Sequence, residues 1–127
     1  MVGIVIVSHS EKVAQGAVEL CQQMAAEVPI AAAGGLEGGE IGTDFGRIYE
    51  AIETVRGPDG VAVLFDMGSA LMTTEMVLEQ FEDLVIKLAD APVVEGAVAA
   101  AVASSIGQSL DQGLVEARLA GQLPKLL

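Results

Sequence analysis

Apolar positions along the chain follow two spacings. Val2–Val7 is an unbroken apolar run rich in β-branched residues, which predicts a strand buried on both faces. Ser8-His-Ser-Glu11 follows and reads as a capping box, with Ser8 as N-cap and Glu11 reaching back. Val13, Ala17, Leu20 and Met24 then recur at helical spacing and predict the buried stripe of a first helix, with Cys21 also in the core. Pro29 closes that unit, and Ile30–Ala33 predicts a second strand. Gly34 to Gly42 holds five glycines and reads as a flexible surface loop. Thr43 is placed to cap a second helix, with Asp44 favourable near its N-terminus and Phe45, Ile48, Ile52 and Val55 as its apolar stripe.

Gly57-Pro-Asp-Gly60 is a strong turn signal, and Val61–Phe65 predicts the third strand. A loop, Asp66-Met-Gly-Ser69, leads into a helix expected to run to about Glu82, and Val85–Leu88 predicts a fourth strand. An Ala-rich helix is expected from Pro92 to about Ser105. A last one, from Ser109 to about Leu119, carries Leu110, Leu114 and Ala117 on one face and ends at Gly121 and Pro124. The repeated β-α pattern with short connections predicts an α/β fold: an open, mainly parallel four-stranded sheet with helices on both faces. A length of 127 residues is expected to form one domain, 1–127.

Composition sharpens this picture. Aromatics are only 3% against 52% hydrophobic residues, so the core must be built from Val, Ile, Leu, Ala and Met. Eighteen acidic against six basic residues leave a net charge of −12, with the basic residues scattered. That argues against nucleic acid and anionic membrane surfaces, both of which need clustered Lys and Arg. It favours a partner with a basic docking face. Val93–Ile106, the most apolar long stretch, contains Glu95 and is too short to span a bilayer. Met1 leads straight into an apolar strand without a basic leader, so a cytoplasmic protein is expected.

In an open parallel sheet, sites form beyond the carboxyl ends of the strands. Three polar clusters fall there: Ser8-His9-Ser10, Gly42-Thr43-Asp44 and Asp66-Met67-Gly68-Ser69. Each opens a helix, whose free N–H groups and partial positive charge suit a phosphate. An imidazole, with a reference pKa of about 6.5, offers a neutral nitrogen nucleophile near pH 7. A carboxylate held against its other nitrogen fixes the tautomer and steadies the charge that develops. If strands 1 and 3 are neighbours, Asp66 lies beside His9 and does this. The N–H groups of Gly68 and Ser69 and the hydroxyls of Ser69 and Thr43 would then hold phosphoryl oxygens. Ser69 and Thr43 also read as plain helix caps, and Arg47 as a solvated surface residue. One His and one Cys cannot build a zinc site, so no metal is expected.

These residues resemble a family. Val5-Ile-Val-Ser-His-Ser10, Ile41-Gly-Thr-Asp44, Asp66-Met-Gly-Ser-Ala-Leu71 and Pro92-Val-Val-Glu-Gly96 occur in the order seen in mannose-type IIA domains of the sugar phosphotransferase system. Within that family they are most similar to the phosphotransferase subunits of dihydroxyacetone kinases driven by phosphoenolpyruvate. Sugar-importing relatives usually carry Gly-Gly-Ser-Pro after strand 3, whereas this chain has Asp66-Met-Gly-Ser-Ala70. The resemblance implies a cytoplasmic homodimer that carries a phosphoryl group covalently on His9, with no cofactor of its own. The histidine phosphocarrier protein would be the donor, and ADP in the nucleotide-binding subunit of the kinase the acceptor. It implies catalytic roles for His9, as nucleophile, and Asp66, which orients it. It places Gly68 and Ser69 at the phosphate, and we add Thr43 and Ser10 there. The alternative within the family is the IIA role in mannose-type sugar transport. A receiver-like domain phosphorylated on Asp66 would need an acidic pair after strand 1, where Ser8-His9-Ser10 stands. A flavodoxin-like cofactor binder would need a Gly- and Ser/Thr-rich phosphate loop at that same place.

Overall fold

The computed structural model describes residues 1–126. Its elements run β1 (Gly3–Ser8), α1 (Glu11–Met24), β2 (Ile30–Gly34), α2 (Phe45–Val55), β3 (Val61–Phe65), α3 (Ser69–Leu78), β4 (Ile86–Leu88), α4 (Val93–Ser105) and α5 (Leu110–Ala120). The four strands form one sheet in the order β2-β1-β3-β4, and all three pairings are parallel. The α/β architecture read from the sequence is the one observed.

Alternation along the central strands feeds two cores. Ile4, Ile6, Ala62 and Leu64 face one side of the sheet and pack with Ala17, Cys21 and Ala25, the α4 alanines, and Leu110 and Ala117 of α5. Val5, Val7, Val61 and Val63 face the other side and pack against Ile48, Ile52 and Val55 of α2 and Ala70 and Val77 of α3. β1 and β3 are therefore apolar on both faces, as a strand covered by helices on both sides must be.

The first helix departs from its expected face. Ala17 is buried as expected, together with Ala14 and Cys21, whereas Leu20 and Met24 are 51% and 62% exposed and Val13 also faces out. Cys21 is in the core as expected, and burial pushes its thiol up to about 11. The reason for the rotation lies in β2. A Cβ placed on Gly34 would sit 2.6 Å from the Ser10 carbonyl oxygen and 2.7 Å from Ala14 Cβ. A helix lying this close to a strand accepts only small side chains between them, so Val13, Leu20 and Met24 are turned outward, while Val18 packs at the edge of the core.

Two boundaries also move. α3 ends at Leu78 rather than near Glu82 because the chain turns through Glu79–Gln80, which carries Phe81 into the core against Tyr49, with ring centroids 4.9 Å apart. β4 is only three residues long, starting at Ile86.

Candidate functional site

The strand order reverses direction at β1: the chain leaves it for β2 on one side and returns to β3 on the other. This is the switch point at which the carboxyl ends of neighbouring strands diverge and leave a crevice. Val7 pairs with Phe65, and the Asp66 amide continues the ladder by donating to the Val7 carbonyl at 3.1 Å. The residues that follow the two strands, His9 and Asp66, are thus brought side by side by strand register.

The carboxylate of Asp66 accepts three hydrogen bonds. Its Oδ2 receives the Ser8 hydroxyl at 2.9 Å and the His9 amide at 3.0 Å, and its Oδ1 lies 2.9 Å from His9 Nδ1. Burial alone would raise the Asp66 carboxyl. The His9 amide, the His9 ring and the Ser8 hydroxyl outweigh it and hold the group below its ordinary value of 3.8. An ionised carboxylate has no proton to give, so the hydrogen on this contact belongs to Nδ1. In the neutral ring the lone pair is then on Nε2, which lies 2.8 Å from the Ser69 hydroxyl. Ser69 is the first residue of α3, so Nε2 faces the opening turn of a helix with its free N–H groups.

The structure brings His9, Asp66, Gly68 and Ser69 to one place. It gives Ser10 and Thr43 other partners. Ser10 accepts from the Val13 amide as the N-cap of α1, and Thr43 donates its hydroxyl to Thr73 Oγ1 of α3 at 3.3 Å. Three expected caps are corrected in the same way. Ser8 is the buried last residue of β1 rather than an N-cap, and Glu11 bonds Arg47 instead of closing a capping box. Asp44, not Thr43, caps α2 by accepting from the Arg47 amide. Ser69 follows Gly68 as the first residue of α3, and its hydroxyl meets the imidazole.

The glycine-rich segment is tied to the site rather than loose on the surface. Gly35, at φ +67°, donates to the Ser8 carbonyl and Gly42 to the His9 carbonyl. Arg47 is not simply solvated. Its guanidinium bonds Glu11 at 2.8 Å, the Gly34 carbonyl at 3.2 Å and the Glu37 carbonyl at 3.4 Å. It therefore joins the start of α1, the end of β2 and the glycine-rich segment. Sequence reasoning missed Thr73 and Arg47 as parts of this constellation, and it placed Ser8 in the site's first polar cluster but read it as a cap rather than as the partner of Asp66.

A helix N-terminus and an oriented imidazole at a parallel-sheet switch point define a candidate phosphoryl-binding α/β domain. Comparison with known proteins names the class. The model of a family described as "PTS system fructose IIA component", EIIA-man, matches residues 3–113, and the chain belongs to this family. The resemblance read from the sequence is borne out at this level.

Relatives narrow it further. The phosphotransferase subunit DhaM of the PTS-dependent dihydroxyacetone kinase of Lactococcus lactis is 43% identical over 98 residues, covering 77% of this chain and 78% of that protein. The phosphoryl donor subunit DhaM of dihydroxyacetone kinase 1 from Listeria innocua is 44% identical over 97 residues, covering 76% and 77%. The Escherichia coli DhaM subunit is 43% identical over 107 residues, which is 79% of this chain and 23% of that longer protein. Among solved structures, a protein of unknown function superposes with a TM-score of 0.80 at 32% identity, covering 95% of this chain and 96% of that one. A phosphotransferase-system EIIA component from Streptococcus agalactiae, at 16% identity and TM-score 0.70 over 96% and 93% of the chains, shares the fold.

Proposed function

We propose that this protein is a phosphoryl carrier that takes a phosphoryl group on His9 Nε2 from the histidine phosphocarrier protein. It then passes the group to ADP bound in the nucleotide-binding subunit of dihydroxyacetone kinase. The observation that carries the reading is the division of labour on one ring: Nδ1 on the Asp66 carboxylate at 2.9 Å, Nε2 at the opening of α3. The names of the relatives, all subunits of dihydroxyacetone kinases, support the choice of acceptor.

In the accepting step, the Nε2 lone pair attacks phosphorus and the bond from phosphorus to the donor's ring nitrogen breaks, leaving its electron pair on the donor. His9 keeps its proton on Nδ1, and the ring becomes a phosphorylated imidazolium whose charge Asp66 offsets. Ser69, which meets Nε2 in the resting state, turns its hydroxyl to a phosphoryl oxygen, and the Gly68 and Ser69 amides add donors at the helix start. Ser10, next to His9 in the chain, and Thr43, whose hydroxyls partner the Val13 amide and Thr73 at rest, are assigned to complete the phosphate-binding set. In the delivering step the β-phosphate oxygen of ADP attacks the same phosphorus and the bond to Nε2 breaks, forming ATP in the partner subunit. The carrier holds the group covalently, so it needs no bound cofactor. We place it in the cytoplasm, as a homodimer.

The test is to mix the protein with labelled phosphoenolpyruvate, the general phosphotransferase proteins and either ADP-loaded kinase subunit or a mannose-type sugar permease. Label on the protein should be lost in acid, survive base, and move to ADP. Label that is lost in base marks an acyl phosphate and overturns the assignment to His9. Label that moves only to the permease replaces the kinase role with sugar transport.

A further inference from the structure

Resting on that reading, we infer that Ser8 is a positioning residue for phosphoryl transfer: its hydroxyl holds the Asp66 carboxylate so that only the Nδ1–H tautomer of His9 fits. Ser8 ends β1 with its side chain fully buried. Its backbone is pinned from β2, where it pairs with Gly34 and its carbonyl accepts from Gly35. Its side chain reaches the other way, toward the exit of β3. There Oγ donates to Asp66 Oδ2 at 2.9 Å while accepting the Ser10 amide at 3.0 Å. The amide takes one lone pair of Oγ, so the single hydroxyl hydrogen is left for the carboxylate.

The consequence falls on the far oxygen. With the Ser8 hydroxyl and the His9 amide both on Oδ2, the carboxylate cannot rotate without breaking two bonds. Oδ1 is thereby held against Nδ1 of the ring. Asp66 alone supplies the charge; Ser8 supplies the angle. Without the hydroxyl, Oδ2 keeps one donor and the half-buried Ser10 amide loses its acceptor. The carboxylate then swings on the His9 amide alone, and the ring samples the Nε2–H form, in which the attacking nitrogen has no lone pair to offer.

His9 is the only histidine in the chain, so its ring nitrogens can be read directly by ¹⁵N NMR in a uniformly labelled sample. The experiment compares wild type, Ser8→Ala and Ser8→Thr by this spectrum and by single-turnover phosphorylation from the phosphorylated histidine phosphocarrier protein. Ser8→Ala should shift the ring toward the Nε2–H tautomer and slow acceptance about ten- to a hundredfold, since a hydrogen bond to a charged acceptor corresponds to roughly one to two decades in rate. Ser8→Thr, which keeps the hydroxyl, should restore both. An Ala variant with wild-type ring nitrogens and wild-type rate overturns the inference, as does a Thr variant that folds like wild type and recovers neither. A wild-type protein that accepts no phosphoryl group overturns the functional reading instead. The ring-nitrogen spectra need no donor, and still decide whether Ser8 sets the tautomer.

Discussion

Replacing Asp66 by Asn is expected to impair phosphoryl acceptance more than replacing it by Ala. The Asn side chain has one oxygen and one NH₂ where the carboxylate has two acceptors. Oδ2 of Asp66 faces two donors, the Ser8 hydroxyl and the His9 amide, whereas Oδ1 faces only the ring. The Asn oxygen therefore takes the Oδ2 place, because the NH₂ there would oppose two donors. This leaves the NH₂ pointing at Nδ1, which must then accept. The proton moves to Nε2, the nitrogen that should attack. Losing a charged hydrogen-bond partner costs about 1.5–3 kcal/mol, or roughly one to two decades in rate. Ala incurs that loss but leaves the ring free to choose its tautomer. Asn adds the wrong tautomer, an effect that costs about 10⁴ in the serine protease triad. Rapid-quench single turnovers with labelled donor measure all three rates, and ¹⁵N shifts of His9 report the tautomer. An Asn variant as fast as the Ala variant, or faster, refutes the reasoning.

Four further outcomes follow from the same geometry. Asp66 is held below its ordinary value, so its ionic contribution to stability is fully present above pH 3.8 and is lost as pH falls through its lower folded value. Urea midpoints of wild type and Asp66→Asn should therefore differ at neutral pH and converge in acid, and a pH-independent gap would show that the carboxylate's charge plays no part. Gly34→Ala drives a methyl group to within 2.6 Å of the Ser10 carbonyl and 2.8 Å of Glu11 Cα, so overpacking of about 1–3 kcal/mol is expected in denaturant unfolding; an unchanged midpoint would mean that α1 can lift off β2 freely. Arg47→Ala should cost only about 0.5–1 kcal/mol, because its ion pair with Glu11 is partly exposed, yet it should speed amide exchange across residues 35–42; Arg47→Lys should not restore protection, since one ammonium cannot span the three acceptors. Cys21, buried and pushed up to about 11, should react with thiol reagents only on unfolding, and rapid labelling of the native protein would contradict the packing of α1.

The frame of the fold was legible because the strands announce themselves. Val2–Val7 and Val61–Phe65 are short, β-branched and bounded by turn residues, and their observed limits differ from the expected ones by little. Once both are placed in one parallel sheet, His9 and Asp66 can meet only if the strands are neighbours, and that adjacency is a tertiary fact. What the sequence hid is the assignment of similar residues to different jobs. Ser8, Ser10, Thr43 and Ser69 all stand near helix starts and all read as caps or phosphate ligands. Their roles depend on which backbone turn they occupy. Ser10 and Asp44 have extended backbones one residue before their helices and cap them. Ser8 is two residues too early, still in the strand. Ser69 is one residue too late, already helical.

The shifted face of α1 and the placement of the site have one cause. Apolar periodicity picks out the larger side chains Val13, Leu20 and Met24 of α1, and all three are exposed. The face that packs is made of Ala14, Ala17 and Cys21, with Gly34 of β2 beneath it. A helix seated on small residues approaches its strand closely, and here it does so at its first turn, where Ser10 and Glu11 lie against Gly34. That contact fixes where the chain turns from β1 into α1, and so where His9 sits. A larger residue at position 14 or 34 would raise the start of the helix and carry the imidazole away from Asp66, although neither position touches the ring. The small-residue seam is thus part of the site's geometry, and its cost is that the helix turns Val13, Leu20 and Met24 to solvent.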